Sequence, residues 1–374
     1  MAWVILIVSF IYAYWVFKLR NAWHNIPIKF LDTGIELSSR FSIIVPMRNE
    51  ESNIEKLLRD LLNQRYQNFE VLVMDDASTD RSREIVEKYV SNYPEKISLI
   101  SLEENQSVSP KKRAIAEGIN LSTGDIILTT DADCRVNEFW LQNLALEFTD
   151  EKVNMISGPV TFHSGESIFQ NFQIIEFASL VGTGAASIYL KSPNMCNGAN
   201  LAYRKSSYEK AGGFAGSEHI ASGDDEFLMH KIFELDSQGV RFLKNPESVV
   251  RTNPPASMNE FVMQRRRWAG KWAQYKNKEA SKLAFSIFLY HFLWIVTLVV
   301  FIFGEAQADL VLAAFVLRIF TNWLFLKDIT DFLGHRIKFF NFLLLELIYS
   351  FYVVFFGLLA NFGKYEWKGR VFRR

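Results

Sequence analysis

Long apolar stretches at both ends of the chain constrain it most. Residues 2–17 carry no charge, hold Tyr12, Tyr14 and Trp15 near their end, and are followed at once by Lys18 and Arg20. Three more apolar blocks, at about 283–303, 310–326 and 339–362, occupy the C-terminal quarter. Each is near the roughly 20 residues that a helix needs to cross the hydrocarbon core. The first run has neither a basic start nor a small-residue cleavage site, so it reads as an uncleaved anchor rather than a signal peptide. The positive charges behind it put the following domain in the cytoplasm, at the cell inner membrane.

The number of spans stays open at three or four. If all three C-terminal blocks cross, the basic tail of residues 364–374 lies outside, against the positive-inside tendency. If the middle block, with Arg318 and Asn322, is interfacial or re-entrant, the tail stays inside. Glu346 in the last block is costly in lipid and is expected to face protein or water. The resulting division is an anchor at 1–20, a central domain at 40–250, interfacial helices at 251–282, a transmembrane region at 283–363 and a basic tail at 364–374.

Composition excludes several classes. Lysine plus arginine equal aspartate plus glutamate, 41 each, so whole-chain charge offers nucleic acid no partner. Two cysteines, Cys134 and Cys196, support neither a disulfide framework nor a cysteine zinc site, and the six histidines show no metal-ligand spacing.

The middle of the chain alternates between strand-like and helix-like runs. Residues 41–46, 69–74, 97–102 and 126–130 are short, apolar and β-rich, and helical patterns fit 50–64, 81–90 and 110–121. Near-continuous apolar strands between helices predict an α/β fold with a parallel sheet covered on both faces. Ligands bind such sheets outside the carboxyl ends of the strands. Acidic residues fall there: Glu50 and Glu51 after the first run, Asp75 and Asp76 after the second, Asp131 and Asp133 after the fourth. Singly, each suits a helix cap or a turn. There is no Gly-x-Gly-x-x-Gly and no Walker lysine loop, which argues against dehydrogenases and P-loop enzymes.

Asp131-Ala132-Asp133 carries the sharpest chemistry. Two carboxylates at i and i+2 at a strand mouth suit one divalent cation, Mg2+ or Mn2+, completed by substrate phosphates. Further on, Gly223-Asp224-Asp225-Glu226 opens a helical run; acidic residues there also oppose the helix dipole. In Gln264-Arg265-Arg266-Arg267-Trp268, Gln264, Arg267 and Trp268 share one helix face, while a basic interfacial anchor is the simpler alternative.

This order of segments, over residues 40–275 and loosely through the membrane tail, resembles the membrane-bound inverting glycosyltransferases of family 2. That resemblance implies an α/β, nucleotide-sugar-binding, Rossmann-like A-type domain joined to transmembrane helices. Val45-Pro46-Met47-Arg48-Asn49-Glu50-Glu51 looks like the opening strand and loop, and Asp75-Asp76-Ala77-Ser78-Thr79-Asp80 like the second acidic loop, with Ala77 where glycine is commoner. By the match, Glu51 and Asp76 contact the nucleoside, and Lys111 approaches the diphosphate, although Lys111-Lys112-Arg113 leaves that choice open. Asp131 and Asp133 bring the metal to the diphosphate, and Asp225 is the general base. Gln264, Arg267 and Trp268 serve the acceptor and leaving diphosphate, and Cys196-Asn197-Gly198-Ala199-Asn200 looks like an acceptor-side strand. The tail Tyr365-Glu366-Trp367-Lys368-Gly369-Arg370 is similar to endings of lipid-glycosylating members, and equally to an aromatic and basic interfacial anchor.

The expectation is an integral membrane glycosyltransferase moving a sugar from a nucleotide-diphosphate donor, UDP-linked, to a lipid or lipid-linked acceptor with inversion. Its partners are that donor, a lipid or glycan acceptor and membrane lipids, with no nucleic acid. Two alternatives stand beside it: a processive polysaccharide synthase, and a non-catalytic, membrane-tethered nucleotide-sugar binder.

Overall fold

The computed structural model describes residues 1–30, 35–103, 109–165, 167–217, 220, 223–269, 278–304, 307–359, 365–367 and 370–372. In chain order these form α1 (Ala2–Asn25), β1 (Phe41–Met47), α2 (Ile54–Leu62), β2 (Phe69–Asp75), α3 (Ser82–Asn92), β3 (Ile97–Ser101), α4 (Pro110–Leu121), β4 (Ile126–Thr129) and α5 (Trp140–Phe148). Then come β5 (Met155–Ser157), β6 (Val160–Phe162), α6 (Ile168–Tyr189), β7 (Leu201–Arg204), α7 (Lys205–Lys210), α8 (Asp224–Leu235), β8 (Val240–Phe242), β9 (Val250–Thr252) and α9 (Met258–Ala269). The apolar helices α10 (Lys278–Ile302), α11 (Ala308–Phe332) and α12 (Phe339–Leu359) precede β10 (Tyr365–Trp367) and β11 (Arg370–Phe372).

The described chain forms two compact units. One comprises Ile26–His163 and Ser187–Asn253; the other comprises Met1–Asn25, Ser164–Ala186 and Pro254–Arg374. The stretch 164–186, inside the continuous 40–250 catalytic domain expected from sequence, groups with the apolar helices.

The α/β unit is built on a seven-stranded sheet of order β3-β2-β1-β4-β7-β5-β8. Its first four strands are the four apolar runs read from sequence, and they pair in parallel, with Ile43 opposite Val71 and Leu128. Ile43, Ile44, Val45, Val71, Val73, Ile127 and Leu128 have no exposed surface, and each such side chain contributes about 1.5–3 kcal/mol through burial. The sheet is mixed rather than wholly parallel, because β7 runs antiparallel between β4 and β5. The reversal follows from the chain's long excursion through α6, after which Leu201–Arg204 enters the sheet from the opposite end. The helix expected from residue 50 begins at Ile54, since Asn49 adopts a left-handed φ of 54° and the chain turns before the helix starts.

In the other unit, α1, α10, α11 and α12 are each long and apolar enough to cross a membrane, four in all among the described residues. The middle C-terminal block is one continuous 25-residue helix. Its polar residues are turned inward: Arg318 donates to Glu346 (2.8 Å) and Ser350 (2.8 Å), Asn322 donates to Glu346 (2.8 Å), and Tyr12 of α1 donates to Asn322 (3.0 Å). Glu346 thus faces protein, which supplies the partners that lipid lacks. In the tail, β10 and β11 pair antiparallel, Tyr365 opposite Phe372. Lys368 and Gly369 of the tail motif, and 270–277 of the interfacial stretch, lie outside the described residues.

Candidate active site

Because β1, β2 and β4 are parallel, the loops that follow them leave the sheet at one edge. Asp76 sits there with its amide donating to the Met47 carbonyl (2.9 Å) and its carbonyl accepting from Arg48 (2.5 Å). Its carboxylate is buried and accepts from Arg113 of α4 at 2.9 Å. The next residue, Ala77, has φ 56°, a left-handed conformation that costs a residue with a Cβ about 1–2 kcal/mol. The turn is held by Asp75, which accepts from the Ser78 amide (3.1 Å), and by Asn49, which accepts from the Thr79 amide (2.8 Å). Glu51 is exposed in the loop after β1; its amide donates to Asp80 (3.1 Å) and its carboxylate accepts from the Arg81 amide (3.1 Å) just before α3.

Pro110 begins α4 and places Lys111 in its first turn. The Lys111 ammonium donates to Asp131 Oδ1 at 2.5 Å and lies 3.9 Å from Asp224 Oδ2. Burial works against that charge, but Asp131, Asp224 and Asp225 outweigh it and hold the ammonium above the ordinary lysine range. Asp133 accepts from the Thr252 hydroxyl at 2.9 Å.

Left-handed Gly223 (φ 83°) precedes α8, whose first turn carries Asp224, Asp225 and Glu226. Asp225 is oriented from two sides, by the Gly198 amide (3.1 Å) and the Glu226 amide (2.8 Å). Gly198 itself is tied to β4, its carbonyl accepting from Thr129 at 2.7 Å. A methyl group at Gly198 would lie 3.1 Å from Asp224 Oδ2 and 3.6 Å from Lys111 Nζ, so the backbone there forms the floor between the lysine and the acidic pair. One continuous edge therefore carries Asp76, Arg113, Lys111, Asp131, Asp224 and Asp225.

The donor set fits a hard divalent cation. Asp131 is the partly exposed carboxylate of the edge (39% side-chain exposure) and Asp133, with Ala132 between them, offers a second oxygen donor. Among the described residues no three His, Cys, Asp or Glu side chains gather as a cage, in keeping with a metal that completes its shell with substrate phosphates. Cys134 is buried, and burial followed by Asp133 and Asp131 pushes its thiol well up. It packs as a small neutral side chain beside the pair.

Gln264, Arg267 and Trp268 lie on α9, in the other unit. Trp268 stacks on Phe177 of α6 with ring centroids 5.7 Å apart.

Residues 42–212 match the family described as Glycosyl transferase family 2. The chain carries a family 2 glycosyltransferase domain and is a glycosyltransferase. It is 26% identical over 310 residues to the probable glycosyltransferase YdaM of Bacillus subtilis, covering 79% of this chain and 70% of that one. It is 24% identical over 271 residues to the poly-beta-1,6-N-acetyl-D-glucosamine synthase of Staphylococcus aureus, covering 70% of this chain and 61% of that protein's length. The solved mannosyltransferase PcManGT from Pyrobaculum calidifontis, in complex with GDP-Man and Mn2+, superposes with a TM-score of 0.57 at 18% identity, over 96% of this chain and 98% of that one. That likeness is one of fold, the Rossmann-like A-type architecture.

Three residues of the glycosyltransferase escaped the sequence reading. Arg113 stands among basic neighbours and pairs with Asp76, while Lys112 is buried and donates to the Ser217 (2.7 Å) and Ile220 (3.0 Å) carbonyls. Asn200 is fully buried and braces the acidic edge from below: it accepts from the Trp140 indole (3.0 Å) and donates to the Pro159 (2.9 Å) and Ser248 (3.0 Å) carbonyls. Arg265, beside Gln264 in the same motif, is 3% exposed. Of the three, Asn200 adjoins an apolar run, Leu201-Ala202-Tyr203, that hints at burial.

Proposed function

We propose that this glycosyltransferase moves one sugar from a UDP-linked donor to a lipid or lipid-linked acceptor, with inversion, its catalytic unit on the cytoplasmic side of the inner membrane. The observation that supports this most is Lys111 bridging Asp131 to the Asp224–Asp225 turn across the Gly198 backbone. Donor-side and base-side groups then meet over one sheet edge, as a single displacement requires. The four apolar helices support the membrane acceptor.

In this reading Asp76, fixed by Arg113, and Glu51 receive the nucleoside. Asp131 and Asp133 hold Mg2+ or Mn2+, which when bound supplies positive charge to the donor diphosphate. Lys111 offers a second positive charge to the same oxygens. Asp225 takes the proton of the acceptor hydroxyl as that oxygen attacks the anomeric carbon. The bond from the anomeric carbon to the diphosphate breaks on the opposite face, so configuration inverts. By resemblance to the family's Gln-x-x-Arg-Trp element, Gln264 and Trp268 serve the acceptor in this reading, and Arg267 the leaving diphosphate. A cation held by acidic residues accords with the Mn2+ bound by PcManGT.

Asp225→Asn keeps the shape and can keep one of the two backbone hydrogen bonds, since its amide nitrogen cannot accept the other, and it removes the proton acceptor. Transfer is expected to fall by at least about a hundredfold, with UDP-sugar affinity unchanged by titration. Equal loss of both would refute the base assignment. The resemblance to the poly-N-acetylglucosamine synthase favours a second reading, a processive polymerase. Sizing the labelled product separates the two.

A further inference from the structure

Arg265 sits inside the Gln-x-x-Arg-Trp motif, at a position that the motif leaves unspecified, and it is the best-buried member of the five. Its Nη2 donates to Glu176 Oε2, its Nε donates to the Tyr352 hydroxyl at 3.1 Å, and the Tyr352 hydroxyl donates to Glu176 Oε1 at 2.9 Å. The three side chains, from α9, α6 and the apolar helix α12, close a ring in which each touches the other two. Glu176 is the only acidic residue of α6 and is 6% exposed. A carboxylate buried there without partners would carry a large desolvation penalty, and here the two donors meet it.

The ring also reaches the motif residues on either side. Arg265 Nη1 donates to Gln264 Oε1. The guanidinium plane lies between the rings of Phe261 and Trp268, 4.4 Å from each centroid. Trp268 in turn stacks on Phe177, the neighbour of Glu176 in α6. Two of the three motif side chains thus take their orientation from Arg265. A lysine cannot replace it, because only a planar fork stacks between two rings while donating to three acceptors.

We infer that Arg265 is a positioning residue: with Glu176 and Tyr352 it orients Gln264 and Trp268 for transfer and ties that orientation to α12. The inference rests on the reading that Gln264 and Trp268 serve the acceptor. It makes the motif helix responsive to the membrane helix through one tyrosine hydroxyl.

The test uses the full chain in lipid nanodiscs, with the variants Tyr352→Phe and Arg265→Lys and the apolar pair Arg265→Met/Glu176→Leu. Three quantities are read: hydrogen exchange of residues 258–269, transfer to acceptor, and acceptor-independent hydrolysis of the UDP-sugar donor. Tyr352→Phe deletes a single oxygen and leaves the charge pair, so it preserves folding. Arg265→Lys and Tyr352→Phe are expected to speed exchange across α9 and lower transfer about tenfold, with donor hydrolysis unchanged. The apolar pair restores packing but not orientation, so slow exchange with low transfer is expected. Wild-type exchange and transfer in both single variants would overturn the inference, as would full transfer in the apolar pair. Trp268→Ala distinguishes the underlying reading: if it leaves transfer intact while Arg265→Lys still loosens α9, the acceptor role is wrong and the ring stands.

Discussion

Gly198 shows how little separates a turn from a site at the scale of one residue. In sequence it is one glycine in Cys196-Asn197-Gly198-Ala199-Asn200, a segment that looks like an acceptor-side strand and names none of the glycine's neighbours in space. In the structure its missing side chain leaves the room in which Asp224 and Lys111 approach, and its amide holds Asp225. Gly198→Ala adds a methyl 3.1 Å from Asp224 Oδ2, tight enough to displace the carboxylate by a few tenths of an ångström. Transfer is expected to drop about tenfold with folding retained; kinetics on membranes check it, and an unchanged rate would count against the packed floor. Ala77 is the opposite case. Its departure from the glycine of related sequences was readable, and the φ of 56° is the conformation that such a glycine serves.

At the scale of elements, the polar residues of α11 and α12 decide how the apolar helices pair. Arg318 and Glu346 are 2% and 5% exposed and are joined by Asn322, Ser350 and Tyr12. Glu346→Leu strands the Arg318 charge and is expected to cost about 3–5 kcal/mol. Arg318→Leu/Glu346→Leu removes both charges and is expected to recover most of that loss. Thermal unfolding in detergent measures both, and equal destabilisation by single and double variants would argue against the pair as the cause. The sequence marked Arg318, Asn322 and Glu346 as awkward in lipid, but not that they belong together, since 28 residues separate Arg318 from Glu346. The helix α6 was not readable at all. It is apolar on most sides yet interrupted by Gln170, Asn171, Gln173 and Glu176, so it shows neither an amphipathic stripe nor a membrane span.

For the whole molecule, the question is what leaves the enzyme. If Asp131 and Asp133 hold the cation as proposed, chelation with EDTA is expected to reduce transfer at least about tenfold, with recovery on adding Mn2+ or Mg2+, because two carboxylate side chains leave the shell to be completed by phosphate. Activity that persists after exhaustive chelation would remove the cation from the reading. The labelled product is expected to run as one discrete glycolipid; a ladder of long chains would favour the polymerase.

The positions of β1 to β4, the four apolar terminal runs and the acidic residues after β1, β2 and β4 were determined by the sequence alone. Runs such as Ile43-Ile44-Val45 have one stable place in water, between two layers of helix, and carboxylates have no place inside them. Tertiary structure decided what touches what. Arg113 rather than its neighbours found Asp76, Lys111 met Asp131 and Asp224, and Arg265 turned inward to Glu176 and Tyr352. Such pairings join residues tens of positions apart, and charge alone does not choose among them. The choice falls to the packed backbone, which brings one partner within reach and turns the others elsewhere.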